Sequence, residues 1–330
     1  MSDVGHPGDI DTGADTRSPA VAVDIGGTKV EAALVDPDGR IVPGTRRRAP
    51  TGGATSSDGL DAAVIGVITD VLVGDIAREI AVSSSLCGIG VACAGPVDDD
   101  AGLVSPINLP AWRDHPLRAV VSAAPAVVDS GLPVTLRRDG VAIAMAEHWL
   151  GAGRNVDDMI AMVISTGIGG GIVLGGRVVA GNAGHIGQIE VSEYTGETSL
   201  GSRTTFESVA SGPHTVAWAR AQGWSGATGE ELAIAVVEGD PVALRAVDRL
   251  VDVVAQGICS ACALLDVDLV AVGGGFARVT GDLVDRIAMR VSEHPLPYVA
   301  STRVVPAELG DTAPLVGAAA FVHRSDLLPR

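Results

Sequence analysis

Short apolar runs recur along the chain at lengths that suit strands, each closed by glycine or another turn residue. Residues 20–24 (Ala-Val-Ala-Val-Asp) read as a buried strand, followed by a tight turn at Gly26, Gly27 and Thr28 and a second strand over 30–35. Asp36-Pro-Asp-Gly39 predicts a hairpin turn, with a third strand beginning at Arg40. Residues 60–80 carry Leu, Val and Ile at helical spacing. Residues 87–94 form another apolar strand that ends at Gly95-Pro96. A brief strand at 134–136 leads into an Ala-rich helix over 140–150.

The opening pattern then returns. A strand over 159–164 meets the glycine turn Thr166-Gly-Ile-Gly-Gly-Gly171. A strand over 172–174, a Gly175-Gly176 turn and a strand over 177–179 follow. Helical segments come after each set, so the chain reads as two topologically related α/β halves. A further strand over 269–272 ends in Gly273-Gly-Gly275.

These glycine turns carry the first chemical signal. Glycine lets a backbone approach an anion closely, and exposed N–H groups coordinate its oxygens. Two such turns would make a phosphate clamp; they also read as two unrelated hairpins. No G-x-x-x-x-G-K-[ST] sequence is present, and the glycine runs lead into strands, where a dinucleotide fingerprint would open a helix. Gly273, Gly274 and Gly275 stand at the carboxyl end of a strand, which suits the base and ribose of a nucleotide.

Composition narrows the field. A length of 330 residues suits two domains, and 47% hydrophobic against 19% charged residues excludes a disordered chain. The net charge of −17 repels nucleic acid and anionic membranes, so neither is an expected partner, and no apolar run reaches the length of a membrane span. An anionic cofactor therefore needs a local device. Residues 1–19 read as a disordered polar leader of a cytoplasmic protein. Cys259-x-x-Cys262 lies in an apolar helical stretch, 253–265, and reads as core rather than as a metal site.

The motifs Asp24-Ile-Gly-Gly-Thr-Lys29, Ser165-Thr-Gly-Ile-Gly-Gly-Gly171 and Val272-Gly-Gly-Gly275 resemble the two phosphate segments and the adenosine segment of actin-like sugar kinases. With Pro106-x-Asn108-Leu-Pro-x-Trp112, Ala146-Glu-His-Trp149, Glu207-x-x-Ala-Ser-Gly212 and the segment 310–319, the chain resembles the ROK family of repressors and sugar kinases over about 20–320. The resemblance implies an α/β, two-lobed actin-like ATPase (ribonuclease H-like) fold with an interlobe cleft. It implies an N-terminal lobe over 20–137, a C-terminal lobe over 138–311, and a terminal helix, about 312–330, packing back on the first lobe. It further implies ATP and Mg²⁺ as cofactors, phosphoryl transfer to a sugar hydroxyl, and a homodimer. Repressor members carry an N-terminal helix-turn-helix, for which residues 1–19 are too short and the charge is wrong.

On the same basis Asp139 matches the general base, although its position also suits a helix N-cap. Asp24 falls near Mg²⁺ or serves as a turn carboxylate. Gly26, Gly27, Thr28, Lys29, Thr166, Gly167, Gly169, Gly170, Gly273, Gly274 and Gly275 fall on the nucleotide. Lys29 meets phosphate or leaves a strand end. Asn108, Arg138, Asp139, His185, Gln188 and Glu207 fall on the acceptor.

Departures from the family pattern cluster on the acceptor side. Arg138 stands where the family has Asn, His185 where it has Glu, and Gln188 where it has His. An Arg138–Asp139 pair is expected to lower the carboxyl pKa and weaken the base. An unusual acceptor, such as an acidic sugar or a cyclitol, is one consequence; a nucleotide-binding protein that has lost catalysis is another. Polyphosphate stays open as a donor. The family's zinc-ligating cysteines are here Thr198, Leu200 and Thr205, and Gln188 removes the ligating His, so no zinc is expected. Elemental analysis of purified protein should find no stoichiometric zinc; one zinc per chain held by this segment would refute that.

Overall fold

A computed structural model describes residues 18–52, 56–83, 85–191 and 204–329. The first half runs β1 (Ala20–Ile25), β2 (Lys29–Val35), β3 (Arg47–Pro50), α1 (Ser57–Leu72), α2 (Asp75–Ser83) and β4 (Ile89–Cys93). A small ladder follows, β5 (Val97–Asp98) with β6 (Leu103–Val104), then α3 (Leu117–Ser122), α4 (Pro125–Ser130), β7 (Val134–Arg138) and α5 (Asp139–Leu150). The second half runs β8 (Met159–Ile164), β9 (Ile168–Leu174), β10 (Arg177–Val178), α6 (Phe206–Ala210), α7 (Gly212–Ala221), α8 (Gly229–Val237) and α9 (Pro241–Leu265). It ends with β11 (Leu269–Gly273), α10 (Leu283–Ser292), α11 (Pro297–Ala300), β12 (Arg303–Pro306) and α12 (Ala313–His323).

The two main sheets have one topology. The first has the order β3-β2-β1-β4-β7 and the second β10-β9-β8-β11-β12. In each, the first two pairings out from the leading strand are antiparallel and the next two are parallel. The repeat read from glycine turns is therefore a repeat of the whole sheet.

Alternation along the strands decides which face meets what. In β1, Val21, Val23 and Ile25 pack outward under α1, α3 and α4. Ala20 and Ala22 point inward and join α5, α12 and the second sheet in a shared core. In β8, Ile160, Met162 and Ile164 face the outer helices, while Met159 and Ala161 join that shared core. In the first sheet the outward residues of β1 are Val and Ile and the inward ones Ala, so the side facing the seam is the smaller.

The seam is tight because several of its residues are glycine. A Cβ on Gly140 would overlap the Gly170 carbonyl, and one on Gly171 would overlap that of Gly140. Gly90 and Gly317 stand likewise against the carbonyls of Ala318 and Ala142. At 0% exposure, Glu147 accepts backbone N–H groups of Ala152 (3.0 Å), Glu308 (3.1 Å) and Leu309 (3.0 Å), fastening α5 to the segment that leads into α12.

Local expectations fail at three places. The third strand is β3, not a strand beginning at Arg40. Gly44 turns the chain at φ +79°, and buried Thr45 accepts the Leu34 N–H (3.1 Å), taking the ladder position beside β2. The helical stretch 60–80 breaks into α1 and α2 at Val73 and Gly74. Gly169, Gly170 and Gly171 lie inside β9, paired with Val163, Met162 and Ala161, rather than in a turn. Gly170 and Gly171 lie against Gly140 of α5, where their small size is used for packing.

Gly317→Ala should therefore destabilise the fold by about 1–3 kcal/mol, an overpacking cost. Gly66→Ala, on an open face of α1 with nothing within 4 Å, should gain about 0.5–1 kcal/mol. Chemical denaturation of the two variants reads the difference directly.

Candidate functional site

The predicted site residues converge at the carboxyl ends of β1, β4, β7, β8 and β11, where an open α/β sheet places its crevice. Asp24 is the last inward-facing residue of β1. Asp139 follows β7 and opens α5. Burial pushes the Asp24 carboxyl up to about 7, with the negative charges of Asp139 and Glu31 adding to the rise. Burial also raises Asp139, against the partial relief of the Arg138 charge and of the Gly140 N–H, which donates to its Oδ1 at 2.7 Å.

Neither aspartate is used as a capping or turn group in the way the sequence alone allows. The residue at the N-cap of α5 is Arg138, without a side-chain bond, and Asp139, the first helical residue, accepts the N–H of Gly140. The Gly26 N–H donates to the Lys29 carbonyl at 2.9 Å, so that turn closes without Asp24. Thr51 pins the turn: its hydroxyl donates to the Gly26 carbonyl at 2.8 Å and its N–H to the Thr28 carbonyl at 3.1 Å. Thr28 is exposed at the tip. The exposed Asn108 side chain lies over Gly27, where a Cβ would crowd it.

Lys29 does not simply leave a strand end. Its Nζ stands 2.6 Å from Glu31, which Arg46 (3.1 Å) and Arg48 also hold. Burial alone would raise Glu31, but the hydrogen bonds from Lys29, Arg48 and Arg46 keep its carboxyl down at about 2. Three cations around one carboxylate leave this cluster beside β2 net positive in an acidic protein. Sequence reasoning missed this cluster, because the pairing of β3 with β2 brings Arg48 opposite Glu31.

In the second lobe Thr166 is exposed on the β8–β9 turn. Glu207 accepts the Ile168 N–H at 2.8 Å, and a Cβ on Gly167 would stand 2.5 Å from the same carboxylate oxygen. Gly274 has φ +100°, and a Cβ there would collide with the backbone of Ile164. Gly27 and Gly169 have ordinary φ, so their freedom of backbone angle is not what the site uses. Gly273 continues β11, paired with Val163. Gly275 opens onto a cavity of about 720 Å³ between the β8–β9 turn, α7, α8 and Phe276. Thr166, Pro213, Arg220, Thr228 and Arg278 also line it, most of them from elements that carried no motif.

Arg138 overturns an expectation. It is 1% exposed, and its guanidinium crosses to the second lobe, where Nη2 donates to the Ala183 carbonyl. Among the described residues no ion pair joins it to Asp139, which is raised rather than lowered. His185 packs beside it, held neutral down to about pH 4 by burial and by the Arg138 charge. Gln188 is exposed on the single turn Ile186–Gln188. The zinc-segment positions 198–203 lie outside the described residues. Thr204, Thr205 and Phe206 lie within them, and no cluster of three His, Cys, Asp or Glu suited to a metal occurs among the described residues. No described helix is long and apolar enough to cross a membrane.

A family model described as ROK family matches residues 20–325. The glucokinase of Thermotoga maritima is 27% identical over 324 residues, 92% of this chain and 96% of that protein. The N-acetylmannosamine kinase of Yersinia pseudotuberculosis is 31% identical over 92% of this chain and 98% of that one. A ROK family glucokinase from Streptomyces griseus, solved in complex with glucose and AMPPNP, superposes with a TM-score of 0.73 at 28% identity. That match covers 93% of this chain and all (100%) of the other.

Asp24 has its ionised form disfavoured by the fold, so its contribution to stability is full below the unfolded pKa, near 3.8, and is lost as pH rises through about 7. In nucleotide-free protein, Asp24→Asn should raise the unfolding free energy above pH 7 by on the order of 2–4 kcal/mol. The gain should vanish below pH 4. Denaturant titrations of both proteins across this range check the sign.

Proposed function

The chain belongs to the ROK family, and from that membership we propose that it is an ATP-dependent carbohydrate kinase whose general base is Asp139. The observation that carries the reading is that the carboxyl ends of strands in the two sheets bear a buried carboxyl with raised pKa, two turns suited to phosphate, and a cavity of about 720 Å³. A cavity of that size accepts a nucleoside.

The adenosine of ATP occupies the cavity beyond Gly275, entered where Gly274 turns the chain. Its phosphates lie between the turn at 26–28 and the turn at 165–167, with Lys29 and its cationic neighbours facing the transferred group. The acceptor hydroxyl attacks the γ-phosphorus, the bond to the β,γ-bridging oxygen breaks, and ADP leaves. Asp139 accepts the hydroxyl proton, and the burial that raises its pKa makes it a stronger base than a solvated aspartate. Asp24, the other carboxylate of the crevice, would offer a hard oxygen ligand to a divalent cation, leaving Asp139 free to take the proton. Mg²⁺ bound with ATP would neutralise phosphate charge there.

Asn108, neutral His185, Gln188 and Glu207 are the acceptor-side groups. They offer hydrogen bonds and no free cation, so we assign a neutral polyhydroxylated acceptor, as glucose and N-acetylmannosamine are for the related kinases. An acidic acceptor paired with Arg138 loses its support, because that guanidinium is buried and already bonded.

ADP release measured over a panel of hexoses, amino sugars, sugar acids and cyclitols tests the reading. Turnover on a neutral sugar is expected, and ATP binding without transfer to any of them would refute it. Asp139→Asn should lower kcat by about 10²–10⁴-fold and leave ATP affinity nearly unchanged. If the residue served only the helix terminus, Asn would replace it with little effect on turnover.

A further inference from the structure

Both residues before α5 reach away from their own sheet. Arg138 Nη2 bonds the Ala183 carbonyl, and Arg137 Nε stands 3.8 Å from Asp99. Asp99 Oδ2 accepts the Gly181 N–H at 3.1 Å, and Asn182 Oδ1 accepts the Val97 N–H at 3.0 Å. Three hydrogen bonds thus join one short segment of the second lobe, 181–185, to the carboxyl end of β7 and to the β5–β6 hairpin in the first.

The segment is shaped for this contact. Gly181 and Gly184 have φ of +67° and +84°. A Cβ on Gly184 would press on Arg138 Nη2 and the Gly170 carbonyl, both at 3.0 Å. A Cβ on Gly95 would meet Arg138 Cδ at 2.8 Å and His185 Nε2 at 2.9 Å, so the two side chains lie together over that glycine. Arg138 Nε and His185 Nε2 are both buried without a protein partner. A buried cation with unused donors is costly, and an apolar side chain would fill the same space more stably. Its retention calls for a role beyond packing.

We propose that Arg138 is a positioning residue that ties segment 181–185 to the first lobe and thereby presents His185 to the acceptor beside Asp139. The inference rests on the kinase reading for its kinetic consequence, but the tie itself does not. None of these residues lines the nucleotide cavity, which lies on the far side of Asp139 among α7, α8 and Phe276. A lost tie therefore acts on the acceptor and spares ATP.

Full-length Arg138→Met, Arg138→Lys and Asn182→Ala decide it, by steady-state kinetics and by amide hydrogen exchange at 181–185. Arg138→Met should raise the acceptor KM at least tenfold, keep the KM for ATP within twofold, and speed exchange at 181–185 at least tenfold while α9 is unchanged. Arg138→Lys should restore part of the exchange protection. Asn182 is exposed and its loss removes one bond, so Asn182→Ala should shift acceptor KM and exchange in the same direction by twofold to fivefold even if Arg138→Met fails to fold. Unchanged exchange and acceptor KM in the variants that fold would overturn the proposal, as would acceptor and ATP KM rising in step. If the wild-type protein phosphorylates no sugar, the kinase reading falls, and exchange at 181–185 alone decides whether the tie exists.

Discussion

The contact on which the structure depends is the bare-backbone approach of α5 to β9. Gly140 lies against Gly170 and Gly171 with no side chain between them. That approach seats the N-terminus of α5, and Asp139 with it, against the second sheet, while α12 packs between α5 and the first. Gly90 and Gly317 repeat the device where α12 crosses β4 and α5. Where these backbones approach most closely the seam carries glycine and alanine, because close-packed interiors admit no spare methylene.

Close approach has an electrostatic consequence. Two aspartates from different strands end in the same poorly solvated crevice, and both resist ionisation. For Asp139 the Arg138 charge offsets part of the rise; for Asp24 the negative charges of Asp139 and Glu31 add to it. The neighbouring Glu31 behaves in the opposite way, because three cationic side chains surround it. Burial is common to all three carboxyls, and the hydrogen-bonding partners decide the direction.

The acceptor side shows how one substitution changes its meaning with context. Beside Asp139 in the sequence, an arginine reads as its ion-pair partner. In the fold the backbone between them turns from strand to helix, so adjacent side chains leave in different directions. Arg138 crosses the seam and bonds a carbonyl, and His185 settles against it as a neutral imidazole. A change that reads in the sequence as an ion pair instead joins the first lobe to the segment at 183–185.

The sequence by itself determined the doubled α/β plan, the strand–turn–strand openings at 20–35 and 159–174, and Asp139 at a strand-to-helix junction. These follow from period-two apolar runs and from glycine at turns, which are local signals. It also contained the family motifs at Asp24, Thr166 and Gly274. Only the tertiary structure decided that Gly170 and Gly171 serve packing, that β3 pairs late and brings Arg48 to Glu31, and that Arg138 reaches Ala183. The same holds for the cavity lined by Arg220, Thr228 and Phe276. In each of those cases the partner lies across a seam or on another element, and local periodicity carries no information about what a side chain meets there. Which carboxyl is lifted and which is held down depends on burial and on such partners, so it was settled by packing alone.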